Sequence, residues 1–264
     1  MKHILVTNDD GIQAPGLLAL ARALRELGKI TVFAPDRNWT ASGHVKTLDR
    51  PLRVRETILA DETPALTTDG APSDCVALAL LGVLPEPPDL IVAGINPGEN
   101  VGHDVTYSGT VTAAMEAAIW GLPGIAISLQ MPESPVRKPD FTAAGQIART
   151  VVAEVLCDGL PKGVLLNVNI PYLPLSQIRS LRVTRQGLRI YNDRLVKRLD
   201  PRERPYYWIG GDMPTGVPEE DTDYGTLIEG CVSITPIQLD LTAHDLIHSL
   251  SERTRGWDWR AGQG

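Results

Sequence analysis

The first two-thirds of the 264-residue chain alternates short apolar runs with segments of helical periodicity, and this pattern constrains the fold most. Strands that alternate with helices form βαβ units, which build a parallel sheet covered by helices on both faces. Apolar runs of strand length predict strands, and apolar residues at helical spacing predict helices. The predicted strands are 4–6, 30–34, 90–93, 125–129 and 164–168, and the predicted helices are 17–27, 71–81, 111–120 and 141–156.

We therefore predict an α/β fold with a Rossmann-like, doubly wound and mostly parallel sheet. After Pro171 the pattern changes to short strand-like segments separated by proline and charged residues. We place a Rossmann-like core at residues 1–175 and a smaller C-terminal extension, containing a β-hairpin and a terminal helix, at residues 176–264. A strand at 230–240, rich in β-branched residues, is a candidate to dock back on the core.

Composition and net charge restrict the kinds of partner and the cellular compartment that we expect for this chain. The net charge of −7 disfavours a role in coating nucleic acid, because an acidic surface repels the phosphate backbone. The three cysteines are odd in number and far apart, which argues against a disulfide framework or a zinc knuckle. No signal-peptide pattern and no membrane-spanning apolar stretch is present in the sequence. We expect a cytoplasmic protein with neither a nucleic-acid polymer nor a membrane as partner.

Two acidic residues, Asp9 and Asp10, follow the first predicted strand. Ligands of open parallel sheets bind outside the carboxyl ends of the strands. Adjacent carboxylates repel each other, and a divalent cation with a preference for oxygen ligands, such as Mg²⁺, Mn²⁺ or Ca²⁺, would resolve that conflict. Gly11 would let the loop turn so that both side chains face one point. The alternative is a helix-capping turn with a solvated Asp-Gly pair.

Two further strand-end loops carry oxygen ligands. The loop 36–44 follows the second strand and is long for a connection of this kind, which is often a sign of function. Its hydroxyl groups, on Thr40 and Ser42, are candidates for binding a metal or a phosphate. Asn96, at the end of the third strand, offers an amide oxygen that could complete the coordination. The alternative for both loops is a polar surface turn.

The helix at 111–120 begins with a candidate anion site. Ser108 is a plausible N-cap, and the free N–H groups of Gly109, Thr110 and Val111 would point outward. A cation beside an anion site is the arrangement that phosphoryl transfer needs. We predict a metal-dependent phosphatase and keep two alternatives, a nucleotide-binding regulatory protein without hydrolytic activity and a metal-dependent glycosyl transferase. The dinucleotide fingerprint G-x-G-x-x-G is absent after the first strand, which disfavours NAD binding.

Several motifs, taken together and in order, resemble the stationary-phase survival protein SurE family. They include the acidic segment after the first strand, both later strand-end loops and the helix start, and the likeness continues near the C-terminus. The similar segments are 6–12, 34–37, 42–44, 94–100, 107–111, 222–224, 232–236 and 240–242.

This resemblance implies 5′- and 3′-nucleotidase activity on nucleoside monophosphates, with some action on short polyphosphate. It also implies one divalent metal ion per subunit, Mg²⁺ or Mn²⁺, and a cytoplasmic homodimer or homotetramer whose C-terminal part exchanges elements between subunits. The metal ligands carry over to Asp9, Asp10, Thr40 and Asn96. The family usually has serine where this chain has Thr40, so Ser42 stays an alternative ligand.

The expected roles follow from this placement. The substrate phosphate is predicted to bind Asn8, Asn96 and the helix start at Ser108, Gly109 and Thr110. Asp9 and Asp10, with Asn8, form the predicted catalytic group, and either carboxylate could act as general base. Direct attack by water is preferred over an aspartyl-phosphate intermediate, because both carboxylates are needed by the metal.

Overall fold

The structure, a computed structural model, describes residues 1–132, 136, 138–212 and 214–257. The predicted C-terminal extension runs to residue 264, so its residues 258–264 lie outside the described ranges. In chain order the elements are β1 (His3–Thr7), α1 (Pro15–Leu24), β2 (Lys29–Pro35), β3 (Val54–Ile58), β4 (Pro64–Thr68), α2 (Pro72–Leu78), β5 (Leu90–Pro97), α3 (Gly109–Ile119), β6 (Gly124–Leu129), α4 (Thr142–Asp158), β7 (Val164–Ile170), β8 (Leu181–Val183), β9 (Arg189–Ile190), β10 (Asp193–Leu199), β11 (Pro205–Gly211), β12 (Thr215–Gly216), α5 (Asp223–Ile228), β13 (Val232–Gln238) and α6 (His244–Thr254).

A nine-stranded sheet forms the centre of the molecule, in the order β3-β4-β2-β1-β5-β6-β7-β13-β8. The six strands from β4 to β7 in this order are parallel, and β3 and β13 run antiparallel on either side of them. The parallel part has the strand order of a doubly wound Rossmann fold. The predicted fold class is therefore confirmed. The strand order reverses between β1 and β5, which opens a crevice at their carboxyl ends.

The residues of β1 alternate between two apolar cores, one on each face of the sheet. Ile4 and Val6 pack on the face that α1 and α4 cover, and Leu5 packs on the face that α2 and α3 cover. All five residues of β1 are buried, as expected for a central strand of a sheet with helices on both faces. The same alternation sends the residues that follow β1 toward different helices.

The helices begin where their sequences allow. Pro15 is the first residue of α1, where its missing N–H costs nothing. The Ser108 side chain accepts a hydrogen bond from Val111 N at 3.1 Å and caps α3, which starts two residues before the predicted helix. Among the described residues, no helix combines the length and apolar composition needed to cross a bilayer.

The hairpin formed by β3 and β4 was not among the predicted elements. Its outer strand, β3, carries exposed Arg55 and Glu56, so it lacks the apolar run that marks a buried strand. It pairs antiparallel with β4 and forms one edge of the sheet. Charged residues on an edge strand are a usual protection against pairing with another chain.

The C-terminal part contributes to the same sheet and also extends away from it. β13 pairs antiparallel with β7, and β8 pairs parallel with β13. β10 and β11 form a separate two-stranded hairpin, and β9 and β12 form a short second pair. The division of the chain near residue 175 stays a prediction.

Candidate active site

Asp9 is buried at the start of α3. It follows β1 at the point where the strand order reverses, and only 2% of the residue is exposed. The Thr110 hydroxyl donates a hydrogen bond to Asp9 Oδ1 at 2.5 Å. Burial raises the pKa of Asp9, while hydrogen bonds from the Thr110 hydroxyl and from the backbone of Thr110 and Gly109 act in the opposite direction. The carboxylate therefore lies at the positive end of the α3 dipole.

Gly109 makes this approach possible. A Cβ atom at this position would lie 2.6 Å from the Asp9 Cβ and 3.0 Å from Asp9 Oδ2. Such distances are too short for any side chain, so the contact between the acid and the helix requires glycine at the first position of α3.

Asp10 lies beside the start of α1 and is close enough to Asp9 for the two charges to interact. It lines a cleft with residues at the start of α1, and its Oδ2 is buried without a hydrogen-bond partner among the described residues. Burial and, second, the charge of Asp9 raise the pKa of Asp10 to about 7. A buried carboxylate oxygen without a partner is costly, and a cation is the simplest group that would satisfy it.

Asn8 braces the loop that carries both acids. Its Nδ2 donates to Gly11 O at 3.1 Å, and Gly11 N donates to Asn8 Oδ1 at 3.2 Å. Gly11 has a φ of 102°, which only glycine adopts readily, and this lets the chain double back beneath Arg37. Asn8 is fully buried and stabilises the turn through both ends of its amide.

Asn96 lies on the neighbouring strand end. The pairing of β5 with β6 shifts register between Ala93 and Asn96, an irregularity of the kind that re-aims side chains beside active sites. Asn96 Nδ2 donates to Gly98 O at 2.8 Å, which fixes the amide. Its oxygen is then the end of the amide that a cation could meet, and the second hydrogen of Nδ2 is left for a phosphate oxygen.

The loop 36–44, which contains Thr40 and Ser42, is fastened to this edge at two points. Trp39 N donates to Asp9 O at 2.7 Å, and Gly43 N donates to Tyr107 O at 2.9 Å. Thr40 is exposed and Ser42 is half-buried. The structure thus fastens the backbone on either side of Thr40 and Ser42 to the edge that holds Asp9.

Sequence reasoning missed Glu116, which anchors the far end of this loop. Glu116 is on α3 and is 2% exposed, and its carboxylate lies 3.0 Å from His44 Nε2 and 3.2 Å from Lys46 Nζ. Trp120 Nε1 donates to the same group at 2.9 Å. Burial acts to raise the pKa of Glu116, but the hydrogen bonds from His44, Trp120 and Lys46 outweigh it and lower the pKa to about 2.

A second group of residues that sequence reasoning missed connects the C-terminal part to residues 98–104 after β5, called the glycine-rich segment below. The guanidinium of Arg189 is nearly buried and lies 2.8 Å from Asp104 Oδ2 and 3.2 Å from Glu99 Oε1. Tyr191 OH donates to Asp104 Oδ1 at 2.6 Å. Fully buried Asp223 accepts from Gly102 N at 2.8 Å. Asp223 belongs to a segment that resembled the family, but its role had no signal in the sequence.

Asn100 ties the same segment to the sheet. Its carbonyl accepts from Asn167 Nδ2 at 2.7 Å and from Asn169 Nδ2 at 3.0 Å, and its own Nδ2 donates to Ser128 Oγ at 2.8 Å. The signal that could have found this network is the pair of asparagines inside apolar β7, because buried polar side chains need partners.

The predicted site residues fall into two groups. Asp9, Gly109 and Thr110 are in direct contact, and Ser108 caps the same helix. Asp10, Asn96 and the loop 36–44 lie at the surrounding strand ends. In the described ranges no cluster of three or more His, Cys, Asp or Glu side chains has the arrangement of a metal site. The predicted ligand set has only two carboxylates, together with a hydroxyl and an amide oxygen, so it is not a cluster of that kind.

Comparisons with known proteins identify the family of this chain. The sequence profile described as survival protein SurE matches residues 4–193. The 5′-nucleotidase SurE of Herpetosiphon aurantiacus is 52% identical over 94% of this chain and 97% of its own length, and that of Chloroflexus aggregans is 50% identical over 97% and 99%. The crystal structure of the SurE protein from Aquifex aeolicus superposes with a TM-score of 0.80 at 40% identity, covering 96% of this chain and 99% of that one. The predicted family is confirmed, and the chain belongs to the survival protein SurE family.

Proposed function

We propose that this chain hydrolyses nucleoside monophosphates to nucleoside and phosphate with the help of a divalent metal ion. The relatives named 5′-nucleotidase SurE and the family membership bear out the predicted class of reaction. The observation that carries the proposal is the pair Asp9 and Asp10 at the crevice between β1 and β5, beside the N-terminus of α3. Action at the 3′ ester and on short polyphosphate stays a prediction from the resemblance.

The residues present fit a hard divalent cation, Mg²⁺ or Mn²⁺, with one per subunit. The buried Oδ2 of Asp10 has no hydrogen-bond partner in the described structure, so this atom is available as a ligand. Asp9, Asn96 and a hydroxyl of the loop 36–44, Thr40 or Ser42, would complete an oxygen-only set. When bound, such a cation stabilises negative charge on the phosphoryl oxygens.

The chain's own groups bind and orient the phosphate. The N-terminus of α3, formed by Ser108, Gly109 and Thr110, favours an anion through its dipole. Its backbone N–H groups already donate within the site, those of Gly109 and Thr110 to Asp9 and that of Val111 to Ser108 Oγ. Asn96 offers a further polar group at the next strand end. Asn8 acts mainly through the turn at Gly11, because its amide is hydrogen-bonded at both ends, and one amide hydrogen of Asn8 is left for the phosphate.

Asp10 is the better placed of the two carboxylates to accept the proton of the attacking water. With Oδ2 of Asp10 assigned to the cation, its second carboxylate oxygen, Oδ1, is the proposed proton acceptor, whereas Asp9 Oδ1 already accepts from Thr110. In this direct route the water oxygen bonds to phosphorus as the bond from phosphorus to the ester oxygen breaks, and Asp10 takes up a proton of the water. The same proton then passes to the ester oxygen, which leaves as the hydroxyl group of the nucleoside. A phosphorylated aspartate recovered after rapid quenching would contradict the direct route.

We also propose that the chain assembles into a homo-oligomer. The hairpin of β10 and β11 has exposed apolar side chains on both faces, including Leu195, Trp208 and Ile209, which are 70%, 64% and 82% exposed. A two-stranded hairpin is barely stable alone in water, so packing against another copy is the simplest source of its stability. Whether the assembly is a dimer or a tetramer stays a prediction.

A cytoplasmic location belongs to the same proposal. The three cysteines, Cys75, Cys157 and Cys231, are free thiols in the described structure. Free thiols are typical of proteins in reducing compartments.

The test of the site is phosphate release from a panel of nucleoside monophosphates, with chelator and with added Mg²⁺ or Mn²⁺. Asp9→Asn should lower kcat/KM by at least about a hundredfold, because the site loses a charge that acts on the transition state. The control is Asp158→Asn, an exposed position outside the site. Undiminished hydrolysis by Asp9→Asn would refute the assignment, and binding of the panel without release would favour a regulatory protein.

A further inference from the structure

A cleft of about 420 Å³ opens beside Asp10 on the α1 side of the sheet. Ile12 and Phe141, both buried, belong to its lining, and exposed Pro15 and Pro97 line it as well. Asp10 is part of the same lining, so the cleft is continuous with the acidic pair. Its volume lies in the range of small-molecule sites.

Two larger depressions on the surface lack this connection. One of about 630 Å³ lies between β2 and the β3–β4 hairpin, and one of about 490 Å³ lies between α1 and α4. Neither is lined by Asp9, Asp10 or Asn96. Volume alone therefore does not select the cleft beside Asp10, whereas its contact with a candidate catalytic residue does.

The chemistry of the cleft suits a flat, uncharged ring with polar edges. Proline and phenylalanine side chains present apolar surface to a planar group, and an aromatic ring adds favourable contact with another ring. Asp36 and Arg37 also line the cleft, with Arg37 Nη1 3.7 Å from Asp36 Oδ1. Arg37 is further held over the Trp39 ring at 4.9 Å. This pair offers both a donor and an acceptor to the edge of a ring.

We propose that this cleft binds the base of the nucleoside monophosphate and makes the protein prefer nucleotides to smaller phosphate esters. The inference rests on the proposed function, since it takes the phosphate end of the substrate to lie at the acidic pair. Asp9 faces α3 and Asp10 faces the cleft, so a substrate held at both acids extends its nucleoside toward α1. The base then lies against Ile12 and Phe141, between the two prolines.

The test compares two esters of the same hydroxyl. Adenosine 5′-monophosphate and ribose 5-phosphate differ by the base, so the ratio of their kcat/KM values measures what the base contributes. Pro15→Trp fills the cleft from its exposed rim at a helix position that does not require proline. Phe141→Leu keeps an apolar side chain and removes the flat ring.

Each variant should raise the KM for adenosine 5′-monophosphate about tenfold. The KM of each variant for ribose 5-phosphate should stay within about twofold of the parent's value. The matched control is Pro64→Trp, which places the same side chain at an exposed proline of the 630 Å³ depression. Its ratio of the kcat/KM values for the two esters should equal that of the parent. Calorimetry with adenosine alone gives a second measurement, in which the parent binds and Pro15→Trp does not.

Equal loss for both esters, or an unchanged ratio in both cleft variants, would overturn the proposal. Failure of the parent to hydrolyse either ester would instead be a failure of the proposed function. In that case calorimetry with adenosine tests the cleft independently of hydrolysis. Binding to the parent that is lost in Pro15→Trp supports the proposal that the cleft holds the base, and absence of binding to the parent overturns it.

Discussion

A single missing methyl group sets the distance between Asp9 and the first turn of α3. Alanine is the better helix former by about 1 kcal/mol, so helix propensity favours Gly109→Ala while the contact with Asp9 opposes it. We predict that this variant displaces the carboxylate and lowers kcat/KM for nucleoside monophosphates by at least about a hundredfold, since a shift of about 1 Å in a catalytic group has that effect. Phosphate release measures the loss.

Gly256→Ala is the control for Gly109→Ala. A Cβ at Gly256 would have Arg253 O, at 3.7 Å, as its nearest neighbour in the described structure, which is an ordinary contact, so turnover should be unchanged. Circular dichroism should show that both variants are folded. Parent-like turnover by Gly109→Ala would mean that the close contact of Asp9 with the helix is not needed.

Glu116 should make the free energy of unfolding fall as the pH is lowered into the acid range. Its pKa is lowered to about 2 from an ordinary value of 4.5, so its contribution is complete above pH 4.5 and is lost as the pH falls toward 2. At neutral pH we predict that Glu116→Gln lowers the free energy of unfolding by about 2 kcal/mol, because a buried charged acceptor with three donors is lost. Urea unfolding at a series of pH values measures both effects.

The parent and Glu116→Gln should converge in stability toward pH 2. Glu86→Gln is the matched control, because Glu86 is paired with Lys29 but its side chain is 70% exposed. An exposed pair contributes at most about 1 kcal/mol, so this variant should stay close to the parent. A constant difference between parent and Glu116→Gln across the pH range would show that the charge is not the cause.

The acidic pair could be predicted from the sequence, and Glu116 and Arg189 could not. Asp9 and Asp10 are adjacent and follow an apolar run, so their position at a strand end is a local property. His44 is 72 residues from its partner Glu116 in the sequence, and Glu99 is 90 residues from its partner Arg189. Contacts over such separations depend on the strand order, which a single sequence does not specify.

Among the elements, the hairpin of β10 and β11 should hold copies of the chain together. Trp208 is 64% exposed near its middle. Replacing an interface tryptophan by a charged residue costs about 2 kcal/mol or more, so Trp208→Asp should raise the dissociation constant of the oligomer at least about thirtyfold. Sedimentation analysis over a concentration series measures the shift.

Lys162→Asp changes the charge at an exposed position outside the hairpin and serves as control. It should leave the assembly unchanged. A parent that sediments as a monomer, or a Trp208→Asp variant with the parent's assembly, would count against the hairpin as an interface.

The core elements that the sequence predicted are strands whose burial is uniform and helices whose burial follows the helical period. β1 and β6 are buried at every residue, so their apolar runs were visible. β3 and β10 are exposed or mixed, and their charged residues hid them. Helix starts were misplaced by one or two residues, because Ser108 and Pro15 set them through capping and proline geometry rather than through apolar period.

At the scale of the whole molecule, metal binding should raise thermal stability. A ligand present at a hundred times its dissociation constant stabilises the folded state by about 2.7 kcal/mol, which raises Tm by about 5 °C or more for a chain of this length. We predict this rise when Mn²⁺ is added to chelator-treated protein, because it relieves the repulsion between Asp9 and Asp10. Differential scanning calorimetry measures it.

Asp10→Asn should lose this response to Mn²⁺. The metal-free variant should also melt at or above the temperature of the metal-free parent, because one of two neighbouring buried charges is gone. An equal rise in Tm for parent and variant would place the metal elsewhere.

The hydrogen bond from Gly102 N to Asp223 joins residues 121 positions apart. All six parallel strands are complete once Ile170 has been synthesised, whereas the anchor of the glycine-rich segment is not. The segment beside the acids therefore gains this anchor only after more than fifty further residues have been added to the chain. The order in which the chain is made thus separates completion of the parallel strands from completion of the surroundings of the acidic pair.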